Sequence, residues 1–168
     1  MKTVLFVPGF TEDITTRDYA ATIAAINKKG YEVVFVPIQW KRTAIQSWVD
    51  ELEKIYSKHN AQQTVLAGFS YGAMTAFVAA TRQNPSELWL FSLSPYFAED
   101  LESKNMKPTW LKQIGKRRVA DFSKLNFVPL AQSINCKTLL FVGGKEIDKW
   151  PIIGERCKTH GSSSSIIS

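Results

Sequence analysis

The stretch Thr64–Met74, TVLAGFSYGAM, limits what this chain can fold into more than any other. A short apolar run, Val65-Leu66-Ala67, ends in Gly68-Phe69-Ser70-Tyr71-Gly72, and an alanine-rich segment without proline follows as far as Asn84-Pro85. The pattern is G-x-S-x-G, set between a β-prone run and a helix-prone one. In that setting a serine stands on a sharp strand-to-helix turn with its hydroxyl exposed, which is the geometry of a nucleophile elbow. The reason is steric. Such a turn strains the serine backbone, and side chains two residues to either side would collide, so glycine is needed at both places. Ser70 is therefore the candidate nucleophile. The backbone N–H of Tyr71, next in the chain, is a candidate donor to an oxyanion.

The rest of the chain supplies a sheet for this turn. Thr3–Val7 and Thr64–Phe69 are continuous apolar runs, as expected of parallel strands buried on both faces. Tyr31–Pro37, Leu88–Leu93 and Thr138–Val142 read as further strands, and Ser163–Ile167 as a sixth. Helical spacing appears between them. Tyr19, Ile23 and Ile26 follow a capping signal at Thr15-Thr16-Arg17-Asp18, and Gly30 closes that helix. Ile45, Trp48, Val49, Leu52, Ile55 and Tyr56 share one helical face. Strands alternating with helices imply an α/β fold, a three-layer α/β/α sandwich on a mainly parallel sheet. Ligands in such sheets bind at the carboxyl ends of the strands. The loops there are Gly9-Phe10, Ser70, Ser94-Pro95 and Gly143–Trp150.

The rhythm breaks at Tyr96–Asn135, about forty residues without a clear strand and longer than an ordinary connection. This segment holds the helix-prone Trp110–Ile114, a second short helix around Val128–Ala131, and the basic group Lys112, Lys116, Arg117 and Arg118. The basic group reads as the solvated outer face of a helix, because no aromatic series or nucleic-acid motif accompanies it. With 168 residues, 45% hydrophobic and 21% charged, the chain suits one domain, residues 1–168. No apolar run reaches the ~18 residues of a membrane helix. The N-terminal run stops at Pro8-Gly9 without a cleavage site, so it reads as a strand rather than a signal peptide, and a cytoplasmic location is expected. Cys136 and Cys157 are expected as free thiols. The net charge of +6 permits weak attraction to anions. No metal, cofactor or nucleotide motif is present, and none of these ligands is expected.

Three motifs in order carry a resemblance: Val7-Pro8-Gly9-Phe10 after the first strand, Gly68–Gly72 after the third, and Gly143-Gly144-Lys145-Glu146-Ile147-Asp148 after the fifth. Together they resemble the α/β-hydrolase family in a small, nearly minimal form. The chain is similar to the small single-domain serine hydrolases of bacteria and of the retinoblastoma-binding type. The resemblance covers essentially the whole chain, without the N-terminal strands of larger members. It implies an esterase, thioesterase or small amidase that works through an acyl-enzyme on a small-molecule acyl substrate. It also implies a lid at about 96–135, a second oxyanion donor in the backbone N–H of Phe10, and Glu146 or Asp148 as the acid that orients a histidine. The histidine is the departure from the pattern. His59 precedes the third strand, at the end opposite Ser70. His160 follows the acid but lies between the expected last helix and last strand, whereas the family places it after that strand, beyond Ser168. The alternative expectation is a catalytically silent hydrolase-fold binding protein. The sequence specifies no oligomeric state.

Overall fold

The structure is a computed structural model that describes residues 1–16, 19–103, 106–143 and, as backbone, 165–167. Strand β1 is Lys2–Val7, β2 Tyr31–Phe35, β3 Thr64–Phe69, β4 Glu87–Phe91, β5 Lys137–Gly143 and β6 Ser165–Ile167. They form one sheet in the order β2-β1-β3-β4-β5-β6, and every neighbouring pair is parallel. The chain moves from β1 to one side for β2, then crosses back to place β3 on the other side. The loops after β1 and β3 thus diverge between adjacent strands, where an open parallel sheet has its crevice. Val7 pairs with Gly68 at that end of the sheet.

The runs that are apolar in sequence are buried on both faces. In β1, Val4 and Phe6 face one core with Val65, Ala67 and Trp89, while Leu5 and Val7 face the other with Leu66 and Leu88. Helix α1 (Tyr19–Lys28) covers the first face with Tyr19 and Ile26. Helices α2 (Ile45–Tyr56) and α3 (Tyr71–Ala80) cover the second. Every residue of α3 is buried, and its small side chains let it lie close to the sheet. By contrast, α2 is amphipathic and buries Ile45, Trp48, Val49, Leu52 and Tyr56.

Four short helices follow β4: α4 (Ala98–Leu101), α5 (Pro108–Ile114), α6 (Lys116–Phe122) and α7 (Phe127–Gln132). They occupy the long strandless interval and pack on the α2/α3 side. Phe127 stacks on Phe77 of α3 with centroids 5.4 Å apart, and Phe97 and Phe122 are fully buried.

Some boundaries differ from expectation. The first helix starts at Tyr19, and the Asp13 carboxylate organises the preceding turn, accepting from the Thr15 and Thr16 amides and hydroxyls. Arg17 and Asp18 lie outside the described residues. The second helix, Ile45–Tyr56, spans the expected apolar face, and Trp40 ahead of it is buried edge-on against Trp48 at 4.8 Å. The last strand is shorter than Ser163–Ile167, at Ser165–Ile167. Cys136 is a free thiol, and burial pushes its pKa up, which keeps it protonated and unreactive. Cys157 lies outside the described residues.

Candidate active site

Ser70 is the single residue between β3 and α3. Its φ of 55° with ψ of −114° is a conformation that side chains rarely adopt. The strand fixes its amide, which donates to the Phe91 carbonyl at 2.9 Å, and the helix fixes its carbonyl, which accepts from the Met74 amide at 3.1 Å. The two glycines are required by close approach. A Cβ on Gly68 would stand 2.3 Å from the Gly72 carbonyl, and a Cβ on Gly72 would stand 2.2 Å from the Pro8 oxygen and 2.3 Å from that of Val7. The start of α3 is thus pressed against the backbone that leaves β1, and this contact brings Phe10 beside Tyr71.

Phe10 and Tyr71 rings are 5.1 Å apart, and Trp48 stacks on Tyr71 at 5.8 Å. Tyr71 sits at the first position of α3, where the backbone N–H has no acceptor within the helix. The loop that carries Phe10 is tied down from below. The Gly9 amide donates to the buried Tyr19 hydroxyl at 3.0 Å, the Tyr19 hydroxyl donates to the Glu12 carboxylate, and the Glu12 amide donates to the Gly9 carbonyl. Burial raises the Tyr71 phenol far above its ordinary pKa, with repulsion from Tyr96 adding to this and Arg118 opposing it. Burial raises Tyr96 as well. Both rings therefore stay neutral across the working pH range.

Two residues enter the site that the sequence reading did not assign to it. Ser94, buried in the loop after β4, places its Oγ 3.0 Å from Ser70 Oγ in a hydroxyl-to-hydroxyl hydrogen bond. The only hint in sequence was the position of Ser94-Pro95 at the carboxyl end of a strand. Arg118 overturns the reading of the basic group as a uniformly solvated face. Lys112, Lys116 and Arg117 are exposed, but Arg118 folds inward, with its Cζ 4.4 Å from the Phe10 centroid. A cavity of about 390 Å³ is lined by Phe10, Tyr71, Tyr96, Trp110, Ile114 and Arg118 together with Gln113. Helices α5 and α6 thereby roof the aromatic cluster beside the elbow.

Of the remaining candidates, Glu146, Asp148 and His160 lie outside the described residues. His59, the only histidine among the described residues, follows α2 and precedes β3. It lies at the amino ends of the strands, about 20 Å of strand away from Ser70. Among the described residues no group of side chains could hold a metal ion, and no helix is long and apolar enough to cross a membrane.

This architecture is shared with solved structures. Est1E from Butyrivibrio proteoclasticus, in its ferulic-acid-bound form, superposes with a TM-score of 0.78 at 15% identity, over 99% of this chain and 79% of that one. The ydeN gene product from B. subtilis matches with a TM-score of 0.72 at 14% identity, over 100% of this chain and 86% of that one. A carboxylesterase structure from the thaumarchaeon Nitrososphaera gargenis gives 0.67 at 14% identity, over 99% and 81%. The chain has the α/β-hydrolase fold. At these identities the likeness establishes architecture and not activity. No protein-family profile and no curated protein sequence matches the chain. In the α/β-hydrolase frame, β3 with α3 forms the elbow unit, β1 leads to the loop beside it, and α4–α7 stand between β4 and β5.

Proposed function

We propose that this α/β-hydrolase-fold chain is a serine hydrolase acting on ester, thioester or small amide bonds through an acyl-enzyme. The observation that carries the reading is the strained Ser70, held on a turn whose flanking glycines touch backbone on both sides. Strain of this kind costs about 1–3 kcal/mol and persists where function selects it. Ser70 Oγ attacks the carbonyl carbon and gives its proton to a general base, the role that the family resemblance gives to a histidine and that no described residue fills. The carbonyl oxygen becomes an oxyanion that accepts from the backbone N–H groups of Phe10 and Tyr71. Collapse expels the leaving group, which takes the proton back from that base, and water then releases the acyl group by the same steps. Glu146 or Asp148 holds the imidazole and stabilises its charged form. That neighbours of the same fold include Est1E and carboxylesterases supports the substrate class.

A fluorophosphonate probe should label the protein at Ser70, and Ser70→Ala should abolish both the label and p-nitrophenyl ester turnover. Wild-type labelling that survives in Ser70→Ala would overturn the assignment. A second reading, a catalytically silent binding protein of the same fold, is favoured by one observation: the partner of Ser70 Oγ is the Ser94 hydroxyl, which is no base. It predicts ligand binding in the aromatic cavity with no ester turnover and no label.

A further inference from the structure

The Arg118 guanidinium is held in an unusual manner. Nη1 donates to the Ile114 carbonyl at 3.2 Å and Nη2 donates to the Trp40 carbonyl at 3.0 Å. The Phe10 ring lies beneath the guanidinium. Nε is buried and has no hydrogen-bond partner. No carboxylate among the described residues forms an ion pair with it. Neutral carbonyls fix the plane of the group and leave its charge uncompensated, and a desolvated charge without a counterion is costly. The same side chain lines two cavities. One is the aromatic cavity described above. The other, about 220 Å³, shares Ile114 and Arg118 with it and is bordered by Arg42, Lys116 and Arg117, with no acidic residue in either lining. Arg117 in turn donates to the Arg42 carbonyl at 2.9 Å, which holds the basic rim together.

We propose that the aromatic cavity binds an organic anion, its aromatic or acyl part seated against Phe10, Tyr71, Tyr96 and Trp110 and its phosphate or carboxylate group on Arg118, with the adjacent basic cavity on the other side of that side chain. A planar guanidinium with free N–H donors suits either oxyanion, and the exposed Arg42, Lys116 and Arg117 raise the local anion concentration. That this anion is the hydrolase substrate rests on the function proposed above; its binding does not.

The test is titration of the Ser70→Ala protein, followed by tryptophan fluorescence, with phenyl phosphate, 3-phenylpropionate and the neutral 3-phenylpropanol. At least one anion should bind about tenfold or more tightly than the alcohol, as a charge-assisted contact to arginine requires, and the advantage should shrink as salt rises. Comparison of the two anions assigns the group as phosphate or carboxylate. Adding Arg118→Gln should reduce the advantage to within about twofold. Equal binding of all three probes, or an advantage that survives Arg118→Gln, overturns the proposal. Should Arg118→Gln fail to fold, the exposed pair Arg42→Gln/Lys116→Gln takes its place. It should weaken anion binding several-fold, and unchanged anion binding overturns the proposal. Equal binding of the three probes alongside Ser70-dependent ester turnover by wild type would sink this inference and leave the hydrolase reading standing. Anion binding without turnover would do the reverse.

Discussion

At the residue scale the decisive position is Ser70. Its backbone angles suit glycine and strain any other side chain. Ser70→Gly and Ser70→Ala both remove the hydroxyl from Ser94, so that loss cancels between them. Ser70→Gly should therefore be the more stable of the two by about 1 kcal/mol or more, measured by urea unfolding. The flanking glycine carries a different cost. In Gly72→Ala the new methyl would stand 2.2 Å from the Pro8 carbonyl oxygen, and backbone on both sides has little room to yield. A loss of about 2–3 kcal/mol is expected. Any ester turnover should also fall, because Phe10 and Tyr71 are forced apart. Normal stability in Gly72→Ala would contradict the contact itself.

At the element scale, the corner between α5 and α6 holds the cavity together. Gly115 makes that corner with a φ of 88° and a ψ of 142°, and nothing stands within 4 Å of where its Cβ would be. The requirement for glycine there is conformational and not steric. Gly115→Ala should cost about 1–3 kcal/mol of unfolding free energy through backbone strain alone. The change also tilts the turn that carries Arg118, so the preference for anionic probes should weaken alongside stability. A stable Gly115→Ala protein with an intact preference would show that the corner does not set the guanidinium. Helix α3 behaves differently: it is buried on all sides, so its fixed position comes from contacts around its whole circumference.

For the whole molecule, stability depends on pH through the far end of the sheet. Glu87 at the start of β4 accepts from Lys2 at 2.9 Å and from the Trp89 indole at 3.1 Å, with Lys137 of β5 3.8 Å away. Burial pushes its carboxyl pKa up, but these partners outweigh burial and hold it below the ordinary value. A carboxyl with a depressed folded pKa stabilises the fold above its unfolded value, near pH 4.5, and loses that contribution as pH falls through the folded value. Asp13, drawn down to about 2 chiefly by the Thr15 hydroxyl, adds a term of the same sign. Glu87→Gln should accordingly be less stable than wild type at pH 7, with the gap closing as pH falls below about 4.5. A gap independent of pH would assign the loss to packing instead.

The elbow and the strands themselves were legible in sequence because their causes are local. Two glycines around a serine, and apolar runs too continuous for an exposed strand, constrain backbone and burial within a few residues. The direction of the chain between strands then leaves few parallel topologies. The partners of those residues were not legible. Ser94 reaches Ser70 from 24 positions away and Arg118 reaches the Trp40 carbonyl from 78, contacts that exist only once β4 lies beside β3 and the short helices fold back over α2. A basic run in sequence shows charge but not which arginine turns inward, because that depends on where a ring and two carbonyls from distant segments meet. The sequence by itself determined a parallel sheet with a serine on a glycine-flanked turn, since those demands are steric and short-range. Only the tertiary structure decided what surrounds that serine: a second hydroxyl, a tethered loop and an aromatic cavity with a guanidinium held by two backbone carbonyls, all assembled by long-range packing.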